Sequence, residues 1–211
     1  MSYKLFFKSL TIYLMLLVMT LPATQVNASG REVVIPEALI ARGETEPDAA
    51  WLIGCKHYGC TNFYVSTGAL LALPWFERAV ENGSVVALYE LGQMYLRGDT
   101  RDGKRDIQKS LNLFLQAYKR GETRAASIIG HIYRVGKGVI QDPVEAYSWF
   151  LVAKAWDHSS KFMDQKTLEM EQLITTQDMA SARKRASKLY GDVESRVDYD
   201  RLAELVNEFG W

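Results

Sequence analysis

The sequence predicts an all-α fold, a short solenoid of helical hairpins. Three observations carry this: a 38-residue period, apolar positions at helical spacing inside each copy, and glycines where the copies turn. Ala49, Ala87 and Ala125 each stand five residues before Gly54, Gly92 and Gly130, and those glycines are 38 residues apart. Gly98 and Gly136 follow the last two by six residues, while Cys60 holds that place in the first copy. Trp75, Leu113 and Trp149 each precede a small residue, Ala79, Ala117 and Ala153, by four. A fixed period of about 20–50 residues marks a repeat architecture, in which each unit buries its apolar face only against its neighbours.

Residues 1–28 read as a cleaved signal peptide. Lys4 and Lys8 are the only charges, an apolar run from Leu10 to Leu21 ends at Pro22, and Val26-Asn27-Ala28 supplies a small-residue cleavage site. The run is shorter than the ~20 residues of a membrane span, although an uncleaved anchor is the alternative. No cysteine sits near the cleavage site to take a lipid, and no second apolar stretch is long enough to span a bilayer. Removing the segment leaves 23 basic and 25 acidic side chains, net charge −2, which is no footprint for nucleic acid. The full chain is 48% apolar, and the 183 residues left can still bury a core as one domain.

Residues 29–46 show no helical period and carry Pro36 and Gly43. They read as an extended segment whose Val33-Val34-Ile35 packs on its own protein or docks on a partner. Three hairpins follow, over 47–83, 84–121 and 122–158. In the second, Leu88, Leu91, Gly92 and Tyr95 make one apolar face, the chain turns near Gly98, and a helix with Ser110, Leu113, Phe114 and Ala117 runs to Gly121. Gly92 inside a helix costs ~1 kcal/mol against alanine; close approach of the antiparallel partner, with Ser110 opposite, is the expected compensation. The third hairpin repeats the layout with Ala125, Ile129, Gly130 and Tyr133, a Gly136-Lys-Gly138 turn, and a helix started by Asp142-Pro143 that carries Ala146, Trp149 and Ala153. The first is degenerate but in register through Ala72, Trp75, Ala79 and Gly83.

The register breaks after His158, and 159–211 reads as capping helices and a tail. Leu168, Met170, Leu173 and Ile174 suggest one helix. Thr175-Thr-Gln-Asp178 caps the next, whose Lys184, Arg185 and Lys188 suit the polar outer face of a solenoid cap. Asp198 to Trp211 forms an amphipathic helix with Leu202, Leu205, Val206 and Phe209 on one side.

The pattern Ala-x3-Leu-Gly-x2-Tyr-x2-Gly, a loop, then Asp-x3-Ala-x2-Trp-Phe-x2-Ala, resembles the Sel-one-like repeat, a relative of the tetratricopeptide repeat. Gly130, Tyr133, Gly136, Gly138, Val139, Asp142, Ala146, Trp149, Phe150 and Ala153 carry it in the third hairpin. The second keeps Asp106 and Ala117 but has Ser110 and Leu113 where alanine and tryptophan are usual, and the first matches mainly in its second helix. The resemblance covers 47–158 and implies a right-handed solenoid that binds partners rather than catalyses.

A narrower resemblance is to the MotX family of exported proteins: about this length, three such repeats, a cysteine pair in the first, and a helical C-terminus. It implies a periplasmic component of the sodium-driven polar flagellar motor, in a basal-body ring with a peptidoglycan-binding MotY-like protein. That ring lets the PomA–PomB stator assemble, with PomB as the stator partner. No cofactor, metal or small-molecule substrate follows from it.

Cys55 and Cys60 are the only cysteines, and an even count in an exported chain is normally paired. Positions i and i+5 of one helix lie ~8–9 Å apart at Cα, beyond the ~7 Å reach of a disulfide, so a bridge requires the helix to end near Tyr58-Gly59. The alternative is a metal or redox site using His57 between the thiols, for which no fourth ligand is evident. No catalytic constellation is legible. Asp102, Asp106 and Asp142 suit capping, and the tryptophan and tyrosine stripe suits the core. A β-lactam-binding repeat enzyme remains a distant alternative, since such proteins carry a cysteine pair in every repeat.

In such repeats the first helices usually line the concave face. Its variable polar positions, Glu90, Gln93, Arg97, His131 and Arg134, are therefore the partner-binding candidates, with His131 aligned to Gln93. Phe209-Gly210-Trp211 is a second candidate: an aromatic end either anchors a partner or packs on the last hairpin.

Overall fold

A helix that places alanine and glycine on one face lets a second helix approach until an aromatic ring fills the remaining gap. That geometry is made three times in the computed structural model, which describes residues 24–26, 32–58, 68–193, 197 and 199–209. Two short strands, β1 (Thr24–Val26) and β2 (Glu32–Val34), pair antiparallel with Thr24 opposite Val34. The helices that follow are α1 (Glu37–Gly43), α2 (Pro47–Tyr58), α3 (Ala69–Glu81), α4 (Val85–Arg97), α5 (Ile107–Lys119), α6 (Ala125–Val135) and α7 (Pro143–Trp156). After these come α8 (Lys161–Glu171), α9 (Thr176–Gly191) and α10 (Tyr199–Glu208). The all-α solenoid is confirmed: α2–α3, α4–α5 and α6–α7 are the three hairpins, joined side by side through α3–α4 and α5–α6.

The repeated glycines meet the same aromatic in each hairpin. A Cβ at Gly54 would lie 2.6 Å from the Phe76 ring, one at Gly92 3.0 Å from Phe114, and one at Gly130 2.8 Å from Phe150. All three rings are buried, so they cannot swing away. Ser110 Oγ donates to the Gly92 carbonyl at 2.9 Å, as expected of the residue opposite that glycine. The phenylalanine that makes glycine obligatory is the part that the spacing left unread. Gly92→Ala or Gly130→Ala should therefore destabilise the fold by about 1–2 kcal/mol, because overpacking outweighs the helix-propensity gain. Urea denaturation of each variant checks this.

Helix ends follow from local chemistry. Ser84, Asp106, Asp142 and Ser160 cap α4, α5, α7 and α8 by accepting from a backbone N–H three residues on. Thr175 and Asp178 form a reciprocal capping box on α9. Gly98 and Gly136 stop α4 and α6 in the left-handed region, with φ +83° and +71°, which glycine adopts without a Cβ penalty. Trp149, Tyr147, Tyr118 and Tyr58 lie in the core, whereas Tyr89, Tyr95 and Tyr133 on the first helices are half-buried.

Two expectations are corrected. Residues 29–46 are not extended throughout, because Glu37–Gly43 is helical. Seven residues are too few to show a period in sequence, and such a helix forms only where packing supports it. Here Leu39 is fully buried beside Ile35, Leu52 and Ile53, and Gly43 sits against Ile53 and Trp75. Ile35 thus packs on its own chain, while Val34 is half exposed. The second correction concerns the tail. α9 covers the last hairpin with Ala182 and Ala186 buried and Lys184, Arg185 and Lys188 outside, as a cap should. α10, with Phe209, does not join it; Leu205 and Phe209 pack with α1 and α2 at the opposite end of the solenoid. No helix among the described residues is long and apolar enough to cross a membrane.

Candidate partner-binding face

The start of each first helix is set by the turn before it. Gly121, at φ +104°, reverses the chain after α5, and the following N–H of Glu122 donates to the Ala117 carbonyl at 2.9 Å. This turns the Glu122 side chain inward, where it is fully buried. An isolated buried carboxylate is costly unless paired and hydrogen-bonded. Arg124 pairs with it through two parallel contacts, Nε to Oε1 and Nη2 to Oε2, both 2.8 Å. The Tyr199 hydroxyl of α10 donates to the same carboxylate at 2.5 Å. The Arg124 guanidinium lies 4.5 Å from the Tyr89 ring and 5.4 Å from the Tyr199 ring. Burial, then the bond to Glu122, raises the Tyr199 hydroxyl above its ordinary range.

Glu90 lies one residue beyond Tyr89 on α4 and is only 7% exposed. Burial pushes its carboxyl up to about 7, against the pull of Arg124 and Arg97 and with a further push from Glu122. An acid raised above its unfolded value stabilises the fold while protonated and loses that contribution as pH rises through the folded value. Glu90→Gln should therefore melt higher than the parent at pH 8, by the equivalent of about 3 kcal/mol, and the gap should close as pH falls below the ordinary glutamate range, near pH 4. Comparing parent and variant at both pH values cancels other titrating groups.

The candidate positions thus separate. Glu90 is a correction: it is buried rather than a free polar position, with the charges of Arg124, Glu122 and Arg97 acting on it. Arg97 is also committed to structure, with Nε 3.0 Å from Asp99 Oδ2, a further donation to the Tyr58 hydroxyl, and its guanidinium 5.2 Å from the Tyr58 ring. Tyr58 itself donates to Asp99 at 2.6 Å, so this group ties the first hairpin to the second. Gln93 is half-buried and donates to the Tyr89 hydroxyl at 3.1 Å. His131 is exposed at the far end of α6, 3.2 Å from Arg134 Nη2. Burial, Arg134 and Lys166 of α8 keep His131 below its usual range. The structure therefore gathers Glu90, Gln93 and Arg97 on α4, and places His131 and Arg134 apart, beside α8.

Phe209 packs at the first hairpin rather than the last, with the Arg42 guanidinium 5.4 Å from its ring; Trp211 lies outside the described residues. The described part of α2 runs to Tyr58. Cys55 is buried, and Cys60 lies outside the described residues. His57 is also buried, which lowers its pKa, and its Nδ1 finds no partner among the described residues. Among those residues no three His, Cys, Asp or Glu side chains gather as a metal site. Asp106 and Asp142 cap helices, and Asp102 accepts from Thr100 Oγ1 and the Lys104 N–H within its loop. A separate groove of about 600 Å³ between α5, α7 and α9 is walled by Tyr118, Trp149 and Leu189 and rimmed by the Glu145–Arg185 pair.

Glu122, Arg124 and Tyr199 were not legible as a group. One signal was available: Glu122 stands 38 residues after Ser84, directly behind a turn glycine in both copies. A carboxylate at that position was a reason to look for a buried cation.

With hairpins, glycine contacts and turns in place, the comparison with known families can be read against them: the Sel1 repeat model matches residues 65–84, 85–122 and 123–155. The first match begins only at residue 65 and leaves α2 out, in keeping with the degenerate first helix of that hairpin. A 62-residue stretch is 37% identical to the ERAD-associated E3 ubiquitin-protein ligase component HRD3A of Arabidopsis thaliana, covering 29% of this chain and 9% of that one. A protective antigen of uropathogenic Escherichia coli displaying an SLR fold superposes with TM-score 0.61 at 21% identity, over 79% of this chain and 33% of its own. A Sel1 repeat protein from Oxalobacter formigenes gives TM-score 0.50 at 20% identity, over 72% and 64%. The chain thus spans under a tenth of the curated relative and a third of the antigen structure. These likenesses agree with the fold, a solenoid of Sel1-type helical hairpins.

Proposed function

We propose that this Sel1 scaffold is a periplasmic component of the sodium-driven polar flagellar motor, of the MotX type. It forms a basal-body ring with a MotY-like peptidoglycan-binding protein and helps the PomA–PomB stator assemble through PomB. The observation that carries the reading is a combination in one short chain: a basic-then-apolar leader with a small-residue cleavage site, Sel1 hairpins, and a cysteine pair confined to the first hairpin. Export to the periplasm follows from the leader, and catalysis has no constellation to support it.

The reading includes a Cys55–Cys60 bridge. The described part of α2 runs to Tyr58, and the even cysteine count of an exported chain supports the pairing. Such a short loop gains only about 2 kcal/mol in the chain-entropy model, still a sizeable share of a marginal stability. Cys55→Ser and Cys60→Ser should lower periplasmic abundance to the same degree; normal accumulation of either removes the bridge. The motor role is tested by cross-linking in cells and purifying the tagged full chain. Recovery of the MotY-like protein and PomB supports it. Recovery of an unrelated envelope or secretion complex instead identifies another exported adaptor.

A further inference from the structure

α10 lies across the face that the first helices present. It begins beside α6, where Tyr199 donates to Glu122. It passes the start of α2, where Arg201 Nε is 3.1 Å from Asp48 Oδ2, and ends at α1, where Arg42 Nη1 is 2.9 Å from Glu208 Oε1. Along this path it buries Leu202 and Leu205, while Asp200, Arg201, Ala203, Glu204 and Asn207 stay exposed. Among the described residues it is held by the buried Leu202 and Leu205, by the partly buried Val206 and Phe209, by the Tyr199 hydroxyl, by the Arg42 and Arg124 guanidiniums over the Phe209 and Tyr199 rings, and by two ion pairs whose arginines remain 34% and 67% exposed. Exposed pairs of this kind hold weakly and are screened by salt. α9, by contrast, packs on α7 with Ala182 and Ala186 buried.

We infer that α10 is an intramolecular placeholder on the docking face of this scaffold, and that a partner helix of the same chemistry displaces it. The face itself states that chemistry. It takes a leucine, with an aromatic four residues on, at the cluster of Ile35, Leu39 and Ile53, a basic residue toward Asp48, an acidic residue toward Arg42, and a hydroxyl at the Glu122–Arg124 pair. The inference deepens the scaffold reading and needs no part of the motor reading.

The test uses the full chain and a fluorescein-labelled peptide of residues 197–211. A tethered segment competes at an effective concentration of about 1 mM, so the parent should bind micromolar peptide at least ~10-fold more weakly than Leu202→Asp/Leu205→Asp, whose own helix is expelled. Equal binding by the two overturns the inference. Hydrogen exchange on the parent decides independently of how the variant folds. Amides of α10 should exchange at least ~100-fold faster than those of α4–α7, as expected of a unit that opens locally; equal protection makes α10 an integral part of the core and overturns the inference. If both arms fail while the MotY-like protein still co-purifies, docking under α10 falls and the motor reading stands.

Discussion

Replacing Phe114 with alanine should cost about 3–5 kcal/mol, the range for emptying a buried aromatic site, and leave little of a stability that is normally ~5–15 kcal/mol. The ring is fully buried, packs on Gly92, and meets Tyr89 edge-on at a centroid distance of 5.5 Å. It therefore joins the two helices of the middle hairpin to the aromatic that stacks on Arg124. Collapse into the space is resisted because Gly92 has no side chain to move inward. The urea midpoint of the variant measures the loss. A shift worth less than ~1 kcal/mol would mean that the hairpins are not held by the glycine–phenylalanine contact. Leu115, on the same helix but 36% exposed, serves as the control, with an expected change near zero.

The second large effect belongs to Arg124. Arg124→Ala leaves the fully buried Glu122 carboxylate with the Tyr199 hydroxyl but no cation; one-sided loss of a wholly buried pair costs about 3–5 kcal/mol, and because the Arg124 side chain is itself 47% exposed the cost here should be about 2–3 kcal/mol. The cost comes from stranding a charge, so removing both charges together, Glu122→Gln with Arg124→Met, should destabilise less than Arg124→Ala alone. Thermal melts of the two variants order them, and the reverse order would show that the pair itself, rather than the stranded carboxylate, sets the energy. Because Tyr199 shares that carboxylate, Arg124→Ala should also raise hydrogen exchange in α10.

The periodic part of this fold was legible because repeats write the same physics three times. Gly54, Gly92 and Gly130 at one spacing, Asp106 and Asp142 at helix starts, and the Thr175–Asp178 box all report local geometry that neighbouring residues decide. What stayed hidden depends on contacts distant in sequence. α1 forms because Leu39 and Gly43 find α2 and Trp75, and nothing in seven residues announces that. α10 reads correctly as an amphipathic helix, but its pattern does not say which apolar surface it seeks, and Leu205 settles on Leu52 and Ile53 rather than on the adjacent cap. Two of the candidate binding positions depart from the sequence reading for a related reason. Glu90 and Arg97 are polar positions of the repeat, yet Glu90 is buried and Arg97 is tied to Asp99 and Tyr58. Polarity at a repeat position marks a surface only if no other part of the chain returns to cover it.

The most direct measurement is motility together with stator recruitment in a deletion strain, with fluorescent PomB reporting the stator. The account predicts cells that retain a flagellum or its basal body, do not swim, and show no polar PomB foci, with both defects restored by the full chain. Normal swimming with normal foci would contradict it, and the Sel1 scaffold would then serve a different assembly in the cell envelope.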